Sequence, residues 1–572
     1  MSNIDWIVLI VTLLGIILYG IWKSRGTKNI EGYLLADRKL PWYHVGLSVM
    51  ATQASAITFL SAPGQAYSDG MRFIQFYFGL PLAMVVLCIT FIPMFSKLNV
   101  YTAYEFLEKR FDSKTRTLTA FLFLLQRGLS TGITIYAPAI ILSTILNIDI
   151  TYTILFNGLL VITYTVYGGT KAVSYTQMLQ MGIIFSGLIL AAFMVVYLLP
   201  TNVGFIDALH IAGKMNKLNT IDFNFDLNNR YNIWSGIIGG FFLQLSYFGT
   251  DQSQVGRYLT GSSITQSRLG LIMNGLLKIP MQFFILMIGA LVFTFYQFNQ
   301  PPIFFNKTEV TKIENSKHKE VFETINEQYN KVSEEKKVLA NDLLAAMKAN
   351  DEDAVIRIQK DLLNNDELAK EFKKAATDLM LYNDPKTDVN DTNFVFLTFV
   401  TKQLPVGIVG ILIAVIFLAA MGSTASGLNS LASTTIVDFY KRIFKEQKSE
   451  KFYLNASRLA TVGWGIFCII TAFYASKLGN LIEAVNILGS LFYGTILGIF
   501  LVAFYMKTIQ GKAVFYAALV AEAFIVYAWY INLTAFLWLN VIGCIFVMIL
   551  AFIFEKIFKQ KQTQETNISQ TF

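Results

Sequence analysis

Runs of about 20 apolar residues recur from one end of the chain to the other, each bounded by a short polar or basic stretch. Read as membrane-length segments they number about thirteen, at roughly residues 4–22, 43–67, 73–96, 117–146, 150–168, 174–199, 232–252, 269–298, 394–440, 455–476, 480–506, 511–531 and 534–557. Residues 300–393 break the pattern: Glu, Lys, Asp and Asn dominate, with apolar residues at helical spacing in stretches such as Val332 to Met347. This predicts a small, mostly helical, water-exposed module. The tail from 558 to 572 is polar and low in complexity, the composition of a disordered segment. The chain therefore divides into residues 1–299 with eight spans, the insertion at 300–393, residues 394–557 with five more spans, and the tail at 558–572.

Two runs are not built like plain anchors. Gly46 to Gly64 carries Ser48, Thr52, Gln53, Ser55, Thr58 and Ser61 and ends in Ala62-Pro63-Gly64. Hydroxyl and amide groups cost free energy in hydrocarbon unless paired, and a helix that opens partway frees carbonyls that need a partner. A cation can be that partner, so the stretch reads as an interrupted helix at mid-membrane, where secondary transporters hold ion and solute. The ninth run, from Leu418 to Thr435, offers a row of hydroxyls that a hard cation can use. Close packing of small residues against a neighbour accounts for either composition equally simply.

Composition narrows the class. With 54% hydrophobic and 15% charged residues the chain is a polytopic membrane protein, not a soluble enzyme. The net charge of +8 comes from Lys and Arg clustered in every second loop, which is membrane topology and not a groove for nucleic acid. That alternation puts the N-terminus outside, the insertion outside and the C-terminus in the cytoplasm, with the first run retained as a span. Cys88, Cys468 and Cys544 lie inside apolar runs, and His44, His210 and His318 are scattered, so neither a disulfide framework nor a metal cluster is expected. Arg127 and Lys278 sit at membrane depth, where an ionisable group is a functional candidate; Arg127 lies one helical turn before Ser130.

Several motifs in order carry a resemblance. The stretches Ser130 to Ala139, Tyr167 to Val173, Arg230 to Trp234, and Tyr247 to Gln252 with Arg257, together with the Ser-rich ninth run followed by Asp438, resemble the sodium/solute symporter family. Their wording is closest to the branch carrying iodide, monocarboxylates and vitamins. The resemblance implies an all-α membrane protein with a ten-helix, 5+5 inverted-repeat (LeuT-like) core, one extra helix before it and two after. It also implies a sodium-coupled secondary symporter in the plasma (inner) membrane, monomeric as a transport unit and not an enzyme. Its expected solute is a small anion such as a monocarboxylate. A sodium/sugar or sialic acid symporter is the alternative, and a non-transporting solute sensor the alternative from another class.

Carried over residue by residue, the resemblance assigns sodium to the carbonyls of Ala51, Ala54 and Ala419 and the hydroxyl of Ser423. Thr424 or a water would supply an oxygen where Gly422 replaces the usual hydroxyl residue. Members with a second sodium have Asp after the Thr of the sixth span; here Gln177 follows Thr176, and Ala425 stands where a hydroxyl is expected, although Ser426 remains. A neutral amide removes the strongest attraction for an extra cation, so one coupled sodium is expected. Gln177 and Gln180 binding sodium through their carbonyl oxygens is the competing reading. By correspondence with the sugar branch, the solute pocket takes Gln53, Thr58, Tyr77, Ser130, Gln244, Tyr247, Lys278 and Asn486, with Tyr247 as inner gate. Arg127 joins them on its depth and its place one helical turn before Ser130.

Overall fold

The computed structural model describes residues 1–24, 30–98, 100–146, 148–443 and 448–571. Among the described residues the chain is helical throughout, with one isolated bridge joining Leu40 and Gly261. Ten helices among the described residues are long and apolar enough to cross a membrane, eleven when the bent pair Trp42–Gln53 and Ala56–Asp69 is taken as one crossing. The remaining runs of the sequence pattern are the shorter Ile150–Val166 and the helix ending at Thr250.

The helix Ile150–Tyr197 covers 48 residues, too many for one crossing. Tyr164 Oη lies 2.6 Å from Thr176 Oγ1, although a straight helix would separate twelve residues by about 18 Å. The chain thus doubles back between them, and two crossings result.

The ninth run is corrected. Residues 394–440 do not form one span: Thr392–Gln403 is a separate short helix, and the crossing begins at Ile408. Pro405 cannot donate to a helix, and Gly407 adopts φ +91, a conformation that ends one helix and starts another. The last helix, Phe536–Thr571, is also longer than the sequence suggests and covers residues expected to be a disordered tail. Lys, Gln and Glu beyond the membrane run are good helix formers and let it continue.

The insertion contains Lys307–Glu314 and two long helices, Lys319–Ala349 and Glu352–Asn383. The two long helices are joined by Lys336 and Asp366, 2.6 Å apart. The module is not free-standing. Leu343 and Leu362 share an apolar cluster with Met215 and Phe293, with Tyr67 of the bent pair packed against it. It is therefore fixed to the same end of the bundle as the second half of the broken helix.

At the base of the insertion, burial raises the Asp388 carboxyl to about 7, with Glu309 and Asp391 adding to the effect against a hydrogen bond from the Asn390 amide. The folded value lies above the unfolded one, so this group's contribution is full below about pH 4 and is lost as pH rises through 7. Asp388→Asn is expected to flatten the fall in melting temperature between pH 5 and 8; a variant that loses stability with pH as the parent does would refute this.

Candidate functional site

The broken helix parts at Ala54 and Ser55, whose backbones are extended (ψ 85 and 172). In a continuous helix the amides of Ser55 and Thr58 would bind the carbonyls of Ala51 and Ala54. Here the Ser55 amide turns to Gln53 O at 3.0 Å and the Thr58 amide to Ser55 O at 3.0 Å. The Ala51 and Ala54 carbonyls thereby lose their helical partners while both residues stay buried. Buried carbonyls in this condition are ready-made ligands for a cation.

Facing this break is the hydroxyl-rich helix Ile408–Thr434. Thr52 and Ser426 meet across the gap, oxygen to oxygen, at 3.0 Å. One turn earlier, Ser423 Oγ donates to Ala419 O at 2.9 Å and lies 3.2 Å from Ala420 O. Two oxygens on the order of 3 Å apart match neighbouring positions in a shell of about 2.4 Å radius around a hard cation. Thr424 Oγ1 is buried without a partner.

Gln177 occupies the middle of this seam. Its amide nitrogen lies 3.1 Å from each of Thr52 Oγ1, Gly422 O and Ser426 Oγ. Its carbonyl oxygen accepts from Ser48 Oγ at 2.6 Å. A neutral donor thus stands among three oxygens that could otherwise share a cation. Gly422 has a local reason as well: a Cβ there would come within 2.6 Å of Gln180 Oε1. The glycine that departs from the family pattern makes room for Gln180.

Between the broken helix and the helices Ser113–Leu146 and Leu481–Tyr505 lies a cavity of about 90 Å3. Its wall includes Gln53, Thr58, Tyr77, Arg127, Ser130, Tyr247 and Asn486, together with Ser55, Phe76, Gln126 and Tyr493. Gln244 and Lys278 do not reach it. Gln244 sits behind Gln53, 3.5 Å from its amide nitrogen, and the Lys278 ammonium is sealed 5.8 Å from the centre of the Tyr77 ring.

Arg127 is the one charged side chain on this wall, and it is already paired. Asp251 accepts from Arg127 Nε at 3.0 Å and again from Nη2, while Tyr493 Oη donates to the same carboxylate at 2.8 Å. The guanidinium lies 5.4 Å from the centre of the Tyr247 ring. Asp251 and Tyr493 are the residues the sequence reading missed. The signal was available: a buried guanidinium needs a carboxylate, and Asp251 lies in the Tyr247 to Gln252 motif. At the other end of the cavity-lining helix Leu481–Tyr505, Arg230 holds Glu483 through both carboxylate oxygens at 2.9 and 2.8 Å.

A membrane helix broken at freed carbonyls, a hydroxyl-lined helix across from it and a small polar cavity at the break define an ion-coupled solute carrier of the membrane. The chain belongs to the sodium:solute symporter family, whose model matches residues 33–321 and 381–521 and omits most of the insertion. It is 34% identical to the human sodium/iodide cotransporter over 260 residues, which is 45% of this chain and 40% of that one. It is 25% identical to the sodium/sialic acid symporter NanT of Aliivibrio fischeri over 566 residues, 98% of this chain and 94% of that protein. A solved Na+-coupled sialic acid symporter, substrate-bound and outward-open, superposes with a TM-score of 0.74 at 23% identity, covering 97% of this chain and 98% of that one. That likeness establishes the LeuT-like fold.

Proposed function

We propose that this protein imports a small organic anion, of the size of a monocarboxylate, together with one sodium ion, by alternating access. The single observation that carries the reading is the break at Ala54 and Ser55, which frees two buried carbonyls beside a solute-sized cavity. Sodium is held by the carbonyls of Ala51, Ala54 and Ala419 and the hydroxyl of Ser423, with Thr424 in reserve. Filling this site joins the broken helix to the hydroxyl-rich helix and so favours the conformation in which the solute cavity is complete. Coupling follows because each ligand prefers one state; equal affinity would shift nothing.

Size and charge support the solute class. A volume of about 90 Å3 has room for a short carboxylate. Arg127 supplies the positive charge, and the iodide and sialic acid carriers among the relatives are named for anions. The second reading, a neutral sugar, has its own observation in the pairing of Arg127 with Asp251, which leaves the wall without net charge. The N-terminus and the insertion lie outside and the C-terminus in the cytoplasm of a plasma or inner membrane, following the basic loops.

Uptake of radiolabelled acetate, lactate and glucose into proteoliposomes, with an inward sodium gradient or a potassium gradient of equal size, tests the proposal. Sodium-dependent accumulation of a carboxylate, blocked by other carboxylates, is expected. Accumulation of glucose unaffected by carboxylates would transfer the case to the sugar reading, and no sodium-driven uptake of any of the three would defeat it. Asp251→Asn removes the partner of Arg127, so carboxylates are expected to bind several-fold more tightly to the purified variant and glucose no better. Unchanged carboxylate affinity in a folded variant would show that Arg127 does not face the solute.

A further inference from the structure

Among the described residues two arginines, Arg116 and Arg257, are almost wholly buried and Arg127 is largely so, and two of the three have a carboxylate at hand. Arg116 is paired with Asp438 at 2.6 Å and with Glu108, and Arg127 with Asp251. Arg257 is different. It is 3% exposed, it has no carboxylate within ion-pair distance among the described residues, and its one side-chain hydrogen bond goes to Ser174 Oγ at 3.3 Å. A guanidinium cannot shed its proton, so its charge must be balanced by something other than neutralisation.

Arg257 borders a small space between the short helix Gln252–Tyr258 and the hydroxyl-rich helix. Its volume is about 10 Å3, room for one particle of about the size of a water. Thr170, Ser426, Ser430 and Ser433 line it, and so does Asn429. Asn429 is 3% exposed, and neither its amide nitrogen nor its amide oxygen has a partner. The hydroxyls of Ser430 and Ser433 donate to carbonyls of their own helix, so the donors on this lining still without an acceptor include the remaining N–H groups of the guanidinium and the Asn429 amide. A cation without its anion, an amide without its acceptor and a gap of one particle coincide.

We propose that Arg257 and Asn429 hold one halide-sized anion, chloride in ordinary media, at the junction of the two helices. A carboxylate-bearing solute does not fit the space, so the anion is a fixed constituent and not cargo. It balances the guanidinium and ties Gln252–Tyr258 to the hydroxyl-rich helix about one turn from Ser426, where Gln177 and Thr52 meet. Stability should therefore depend on the anion supplied, independently of any solute.

The test uses the purified full-length protein in detergent, at constant sodium and ionic strength, with chloride, bromide or gluconate as the only anion. The melting temperature is expected to be several degrees higher in chloride and bromide than in gluconate, saturating with halide concentration. Arg257→Gln should abolish the difference. Asn429→Leu, which fills the space and keeps the arginine, should also abolish it and serves if the first variant fails to fold. A structure determined in bromide should show anomalous density beside Arg257. Equal melting temperatures in all three salts, a halide effect that survives Asn429→Leu, or a bromide structure with only water in the space would each overturn the proposal.

Discussion

Ser423→Ala is expected to raise the sodium concentration that half-saturates uptake by about ten-fold or more, while moving the melting temperature by no more than a few degrees. The hydroxyl donates only within its own helix, to Ala419 O at 2.9 Å, and is not a link between helices. Removing such a back-bond from a helix costs stability little, within roughly 0.5 kcal/mol. Removing an oxygen from a shell of four or five around a hard cation costs more, and about 1.4 kcal/mol is already ten-fold in affinity. Sodium titration of uptake, with melting temperature measured on the same preparation, separates the two effects. Sodium dependence that stays as in the parent would remove Ser423 from the site. Loss of uptake together with a collapse of the fold would mean that the hydroxyl is structural.

Gln177→Glu is expected to add one sodium to the number coupled per solute, from the proposed one to two. The replacement is isosteric, but it exchanges an amide nitrogen lying 3.1 Å from three oxygens for a carboxylate oxygen facing the same three. Among the described residues no Lys or Arg pairs with Gln177, and Ser48 is the donor to its carbonyl oxygen. A buried carboxylate left without a counter-charge costs about 3–5 kcal/mol, so the variant should melt much lower in potassium than in sodium. Sodium would be held there by the new carboxylate with the oxygens of Thr52, Gly422 and Ser426 around it. The sodium-to-solute ratio, from dual-isotope uptake or from reversal potentials, checks the first part and melting in the two cations the second. A ratio of one in a variant equally stable in both salts would show that the carboxyl takes a proton instead. A ratio of two in the parent would mean that Gln177 already binds sodium through its carbonyl oxygen.

Much of this site is legible before any coordinates. The six hydroxyl and amide residues between Gly46 and Gly64 have no place in a plain anchor, and the helix does part within that stretch, at Ala54 and Ser55, with a bend of 61°. Ser130 and Tyr247 line one cavity as the family resemblance implies, and Arg127 joins them as its place one helical turn before Ser130 suggests. Lys278 satisfies the same depth criterion and fails. Depth says how far along a helix a group lies and nothing about the direction in which it points, and the Lys278 ammonium points at the back of Tyr77. The ninth run misleads for a related reason: Thr392–Gln403 and Ile408–Thr434 are both apolar, and hydropathy alone does not see the turn at Gly407.

By itself the sequence determined that the chain crosses a membrane many times, that its basic residues cluster in every second loop between the crossings, and which crossing would not stay a single helix. These are local consequences of side-chain chemistry in hydrocarbon, settled within about 20 residues. Only the tertiary structure decided that Arg127 is paired with Asp251 across a separation of 124 residues, and that Gln177 bridges the broken helix and the hydroxyl-rich one. It also decided that the insertion packs against the end of the bundle near Tyr67. Such pairings depend on how helices are rotated and brought together, and that is set by packing among segments far apart in the chain.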